Sequence, residues 1–92
     1  STTEFYNYAP YISKVEQSGD DIVISAYDTD GVVSKVEVYI DEGEIKAGDA
    51  KQRDDGKWVF TPDVTSGVHS VYAIATDNDN INSLLTIQLI IL

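Results

Sequence analysis

The chain has no cysteine, no methionine, a single histidine, a single tryptophan and two prolines, and its six basic residues face 16 acidic ones. Lack of cysteine excludes both a disulfide framework and a thiolate metal centre. One histidine without cysteine also excludes the usual His-rich zinc sites and any Cys–His couple. The shortage of Lys and Arg leaves a net charge of −10, which argues against nucleic acid or an anionic membrane surface as a partner. No basic-then-apolar leader opens the chain. The most apolar stretch, residues 84–92, carries Thr86 and Gln88 and falls well short of the ~20 residues of a membrane helix. What is present is 92 residues, 42% apolar, which suits one domain with one modest core.

Period-two alternation dominates the pattern, and helical spacing hardly appears. Ile22, Ile24 and Ala26 alternate with Val23, Ser25 and Tyr27 before the turn Asp28-Thr29-Asp30-Gly31. Val36, Val38 and Ile40 alternate with Lys35, Glu37 and Tyr39 before Asp41-Glu42-Gly43. His69, Val71, Ala73 and Ala75 follow Gly67, and Asp77-Asn78-Asp79-Asn80 closes that run. Each run is bounded by Gly, Asp, Asn or Pro. The spacing predicts seven strands, near 8–16, 21–27, 33–41, 44–50, 57–61, 68–76 and 83–91, and therefore an antiparallel β-sandwich. Alternating chain direction places the loops at 28–32, 49–56 and 77–82 at one end, as an acidic cap of Asp28, Asp30, Asp49, Asp54, Asp55, Asp77 and Asp79. The loops at 17–20, 41–43 and 62–67 fall at the other end.

Several of these segments together carry a resemblance. Asp28-Thr29-Asp30-Gly31, Lys35-Val36-Glu37-Val38-Tyr39, Gly56-Lys57-Trp58, Gly67-Val68-His69 and Ala73-Ile74-Ala75-Thr76-Asp77-Asn78 make residues 20–90 similar to the bacterial Ig-like domain family. The resemblance implies a seven-stranded Ig-like or fibronectin-III-like sandwich. It also implies a module that occurs in tandem or beside catalytic domains in secreted polysaccharide-degrading enzymes and surface adhesins. The family usually has Gly after the Asp-Asn pair; here Asp79-Asn80-Ile81-Asn82 stands instead, and Asn tolerates the left-handed angles such a turn needs.

Three constellations are candidates for chemistry. Asp28, Asp30, Asp77 and Asp79, with Asn80 in support, could offer oxygen ligands to Ca²⁺. The favoured reading is that they are ordinary turn formers whose side chains bond their own backbones, and neither segment completes an EF-hand loop, because the twelfth positions are Tyr39 and Gln88. Tyr39 and Tyr72 should face outward on neighbouring strands, where they could stack on the sugar rings of a polysaccharide or simply pair across the sheet. Phe5, Tyr6, Tyr8 and Tyr11 form a second aromatic group. His69 resembles the corner residue of Ig-like folds, whose ring bonds back to the preceding loop. No nucleophile elbow exists, and acids on loop tips lack the cleft that would raise a catalytic pKa.

The expectation is thus an all-β, non-catalytic spacer or linker module, bacterial and secreted or at the cell surface. It is monomeric in isolation, needs no cofactor unless Ca²⁺ binds, and has neighbouring domains of its own chain as partners. A carbohydrate-binding module is the alternative. Residues 1–92 form one module excised from a larger chain, with 1–10 an aromatic-rich linker or edge strand. The expected core is Ile22, Ile24, Ala26, Val36, Val38, Ile40, Trp58, Phe60, Val71, Ala73, Ala75, Ile87 and Leu89, with Ile90 and Leu92 pointing outward.

Overall fold

A computed structural model describes residues 8–43, 46–84 and 86–91. The described residues form β-strands and no helix: β1 (Tyr11–Ser18), β2 (Asp21–Tyr27), β3 (Val33–Ile40), β4 (Gly48–Asp49), β5 (Lys51–Gln52), β6 (Trp58–Phe60), β7 (Val68–Asp77) and β8 (Thr86–Ile91). One sheet has the order β1-β2-β6-β5 and the other β4-β3-β7-β8, and every pairing is antiparallel. This is an Ig-like β-sandwich. The expected fourth strand at 44–50 is the one that departs. Among the described residues only the two-residue β4 falls within it, and β5 follows just beyond Ala50 in the other sheet. Ala50 is buried, and its N–H donates to Val36 O at 2.9 Å. A short switch between sheets leaves too few residues for a visible alternation.

β1 and β2 join through the two-residue turn Gly19-Asp20, where Gly19 supplies a φ of +62°. Such turns match the twist of the strands they connect. β7 is the spine of its sheet, running from Val68 to Asp77 between β3 and β8. Its inner residues Val71, Ala73 and Ala75 are fully buried, together with Val36 and Val38 of β3 and Ile22 and Ile24 of the facing sheet. The small alanines leave room for Trp58, which lies in the same cluster at 7% exposure. Phe60 crosses to the other sheet and lies over Gly48, where a Cβ would come within 2.5 Å of Phe60 Cε1.

β8 corrects the expected core. Ile87 and Leu89 are 57% and 64% exposed, while Ile90, expected outside, is 1% exposed. The pairing explains it: Ile90 stands opposite His69 and Gln88 opposite Val71, on the inner face, whereas Ile87 pairs with Tyr72 and Leu89 with Ser70 on the outer face. The run Ile87-Gln88-Leu89-Ile90-Ile91 has apolar residues in both parities, so alternation alone could not choose. Ile40 and Phe60 are partly buried against the core rather than within it, and Val15 and Ala50 complete it. Leu92 lies outside the described residues.

Trp58→Ala should cost about 3–5 kcal/mol in urea unfolding, the usual range for emptying a buried aromatic site. Leu89→Ala should cost less than ~1 kcal/mol, as exposed positions do. Equal losses at the two sites would mean that the β8 register is wrong.

Candidate functional site

The loops after β2 and β7 meet at one end of the sandwich. Val32 N–H donates to Asn78 Oδ1 at 3.2 Å, and Asn78 N–H donates to Val32 O at 3.1 Å. Gly31 is required by this contact, because a Cβ there would stand 2.5 Å from Asn78 Oδ1. Asp28 Oδ1 accepts from Asp30 N–H at 3.1 Å, and Asp30 Oδ2 accepts from Tyr8 N–H at 3.0 Å. Asp77, 1% exposed, accepts from Asp79 N–H at 2.9 Å and Ile81 N–H at 2.8 Å through Oδ1. Asn80 takes a φ of +67°, the left-handed conformation that Asn tolerates in such a turn.

The expected acidic cap therefore forms in part. Asp28, Asp30 and Asp77 come together, each with a carboxylate oxygen engaged by a backbone N–H group, and of the four expected ligands Asp30 and Asp79 are exposed. Among the described residues no group of three or more His, Asp or Glu side chains is arranged to hold a metal ion. Asp49 lies elsewhere, on β4, with Lys46 at 3.0 Å. Asp55 bonds Arg53 at 2.7 Å and Lys57 N–H at 3.0 Å, and these contacts hold its carboxyl below the ordinary range. A cavity of about 400 Å³ opens beside the cap, lined among others by Tyr27, Asp28, Gln52, Asp55 and Lys57.

Asp28 is the perturbed group of the cap. Desolvation first, then the facing Asp30 carboxyl and the charge of Asp77, raise its pKa, against the backbone bond from Asp30, which lowers it. Its Oδ2 is buried without a partner. A carboxyl whose folded pKa is raised contributes stability at low pH that is lost as pH rises through that value.

The outer face of the β4-β3-β7-β8 sheet is divided. Towards β4, Glu37 is bridged by Lys46 at 3.2 Å and Lys35 at 3.7 Å. Towards β8, Val68, Ile87, Leu89 and Ile91 are all more than half exposed and carry no charge. Tyr39 and Tyr72 stand between, directly opposite in register, with ring centroids 4.6 Å apart and planes at 3°. Tyr72 Oη donates to Gly43 O at 3.1 Å. The rings thus turn one face each towards the other, and both residues are half-buried.

The opposite end of the sandwich holds His69. Its Nδ1 lies 2.7 Å from Asp41 Oδ2 and its Nε2 lies 2.7 Å from Thr65 O, which is the expected bond back to the preceding loop. The partner Asp41 was not foreseen. The signal available for it was Asp41-Glu42-Gly43 after a strand, which marks a turn but names no contact.

No family model and no curated protein sequence matches the chain. Solved structures do resemble it. The fibronectin(III)-like modules of Clostridium thermocellum CbhA align with a TM-score of 0.66 and 20% identity, over 91% of this chain and 46% of that one. The PKD1 domain of Vibrio anguillarum Epp aligns at 0.60 and 14% identity, over 95% and 96% of the two chains. The PKD1 domain of the Vibrio cholerae metalloprotease PrtV aligns at 0.58 and 16% identity, over 92% and 98%. The fold is shared with these bacterial modules, and this chain spans less than half the length of the CbhA chain.

Two melting experiments test the cap. Midpoints in EDTA and in millimolar Ca²⁺ should coincide, since the carboxylates already serve turn N–H groups; a rise of several degrees with Ca²⁺ would instead establish a cation site. Asp28→Asn keeps an acceptor for Asp30 N–H and removes the penalised charge. It should raise the midpoint at pH 7, with the gain vanishing below about pH 4, where an ordinary Asp is itself protonated.

Proposed function

We propose that the chain is a non-catalytic Ig-like spacer or linker module of a secreted or cell-surface bacterial multidomain protein. The observation that carries this reading is the likeness to CbhA modules and to two PKD domains, in which a chain of this size accounts for one module. The chemistry of the chain supports it. Asp28, Asp30, Asp55 and Asp77 of the loop end are taken up in turns and ion pairs, and the single histidine is held in a structural contact. Net charge of −10 keeps such a module soluble and keeps like-charged neighbours apart. The uncharged face of Val68, Ile87, Leu89 and Ile91 is the part of that surface on which contact with a neighbouring domain costs no buried charge.

A second reading, a carbohydrate-binding module, is favoured by the Tyr39–Tyr72 pair on the outer sheet face. Affinity electrophoresis against cellulose, chitin, xylan and alginate separates the two. A spacer migrates unretarded through all four. Retention that disappears in the Tyr39→Ala, Tyr72→Ala double variant would replace the spacer reading with the glycan one. An epitope tag placed in the parent protein should be found outside the cell or on its surface; a tag confined to the cytoplasm would contradict the proposal.

A further inference from the structure

The turn after β3 is backbone that the sequence does not favour. Asp41 and Glu42 both adopt left-handed angles, with φ of +55° and +57°. Consecutive left-handed residues suit Gly or Asn, and other L-residues there are strained. The turn is nevertheless held from several sides. Gly43 N–H donates to Ile40 O at 3.1 Å, and Asp41 N–H donates to Ser70 O at 2.7 Å. Ser70 N–H reaches Asp41 Oδ1 at 3.3 Å, and Tyr72 Oη donates to Gly43 O. His69 makes the contact that also ties in the loop at 62–67, through Asp41 Oδ2 on one side of its ring and Thr65 O on the other.

The two partners fix the protonation state by their chemistry. Thr65 O is a carbonyl and can only accept, so Nε2 must carry a proton. Asp41 Oδ2, as a carboxylate, also accepts, so Nδ1 must carry one too. A neutral imidazole has a single N–H. Whichever tautomer it takes, one lone pair then points at an oxygen 2.7 Å away, and that contact must break. The His69 side chain is only 11% exposed and the Asp41 side chain 54%, so the carboxylate is the partner that water can take up when its contact breaks.

We propose that His69 is a pH-sensitive clasp: as imidazolium it holds the strained Asp41-Glu42 turn and the 62–67 loop together, and on losing its proton it releases one of them. The ionisable residues of the neighbouring elements are mostly acids: Asp20 of the β1–β2 turn lies beside the 62–67 loop, and β1, which packs against β7 and β8, carries Lys14 and Glu16. Asp41 is the carboxylate that faces the ring, Glu42 and Asp63 are the other ionisable residues of the turn and loop, and β8, which places Ile90 opposite, carries no ionisable side chain. The bond to Asp41, then the bond to Thr65 O, raise the His69 pKa above its ordinary value of about 6.5, opposed by desolvation. A raised histidine pKa contributes stability that is complete below the unfolded value and lost as pH rises through the folded one. The clasp therefore opens on the alkaline side, not the acid side.

The test is an NMR titration of the whole 92-residue chain, following the His69 ring nitrogens and the backbone amides of residues 41–43 and 65–67. At pH 6 both ring N–H protons should be visible. The ring midpoint should lie above 6.5, and the amides of the turn or of the loop should shift with that same midpoint. Asp41→Asn should move the midpoint down towards 6.5 and leave those amides insensitive to it. A wild-type midpoint at or below 6.5, a single ring N–H at pH 6, or amides that ignore the ring titration would each overturn the proposal, whether or not the variant folds.

Discussion

Burial of the alternating inner face of β7 is the constraint on which the rest of the molecule depends. Val71, Ala73 and Ala75 are fully excluded from water, and β7 is bonded on both sides, to β3 and to β8. A one-residue slip would carry that whole set to the outer face. Once β7 is fixed, β3 is fixed by its pairing of Val36 with Ala75 and Val38 with Ala73. β8 is fixed by the pairing of Ile90 with His69. The facing sheet then brings Ile22, Ile24 and Trp58 onto the same small residues. At one point the core is imperfect: Trp58 Nε1 is buried without a partner, so the indole is held there by its apolar area in spite of its polar atom.

The same placement of β7 organises both ends. Its last residue, Asp77, is buried and gathers the N–H groups of its own hairpin, while Asn78 crosses to the β2–β3 loop. Near its start, His69 and Ser70 reach the turn after β3. Polar side chains at the two ends thus complete backbone hydrogen bonding where the strands stop, which is what loops of a small sandwich need in place of a larger core. Between the two sheets at the β8 edge, Gln17 serves in the same manner. Its Oε1 accepts from Ile91 N–H at 2.9 Å and its Nε2 donates to Ile91 O, so one side chain stands in for a strand partner.

Much of the fold was legible because β2, β3 and β7 alternate cleanly between apolar and polar residues and end in Asp, Asn or Gly. The turn positions were legible for the same reason, but not their angles: that Asn80, Asp41 and Glu42 are the left-handed residues comes from the structure. Two further features were not legible. β8 is apolar in both parities, so its register comes from β7 and not from its own pattern. The segment around Ala50 changes sheets within a few residues, too short a span for any period to show. At the candidate site, the turn-forming role of Asp28 and Asp77 was legible, and their oxygens do accept from nearby backbone N–H groups; the bond from Tyr8 N–H to Asp30 was not, because it spans 22 residues. Tyr39 and Tyr72 were legible as outward neighbours, whereas their mutual stacking depends on the register in which they stand directly opposite. His69 was legible as a corner residue; Asp41 was hidden because the contact spans 28 residues of sequence.

Native-state hydrogen exchange along β8 tests this dependence most directly. Ile91 turns its backbone groups towards Gln17, and Ser70 turns its own towards Asp41, so Thr86, Gln88 and Ile90 are the β8 residues that bond to β7. Their amides should exchange slowly, close to the global unfolding rate, while those of Ile87 and Leu89 exchange orders of magnitude faster. The reverse pattern, with Ile87 and Leu89 protected and Ile90 fast, would place Ile87 and Leu89 in the core and contradict the account.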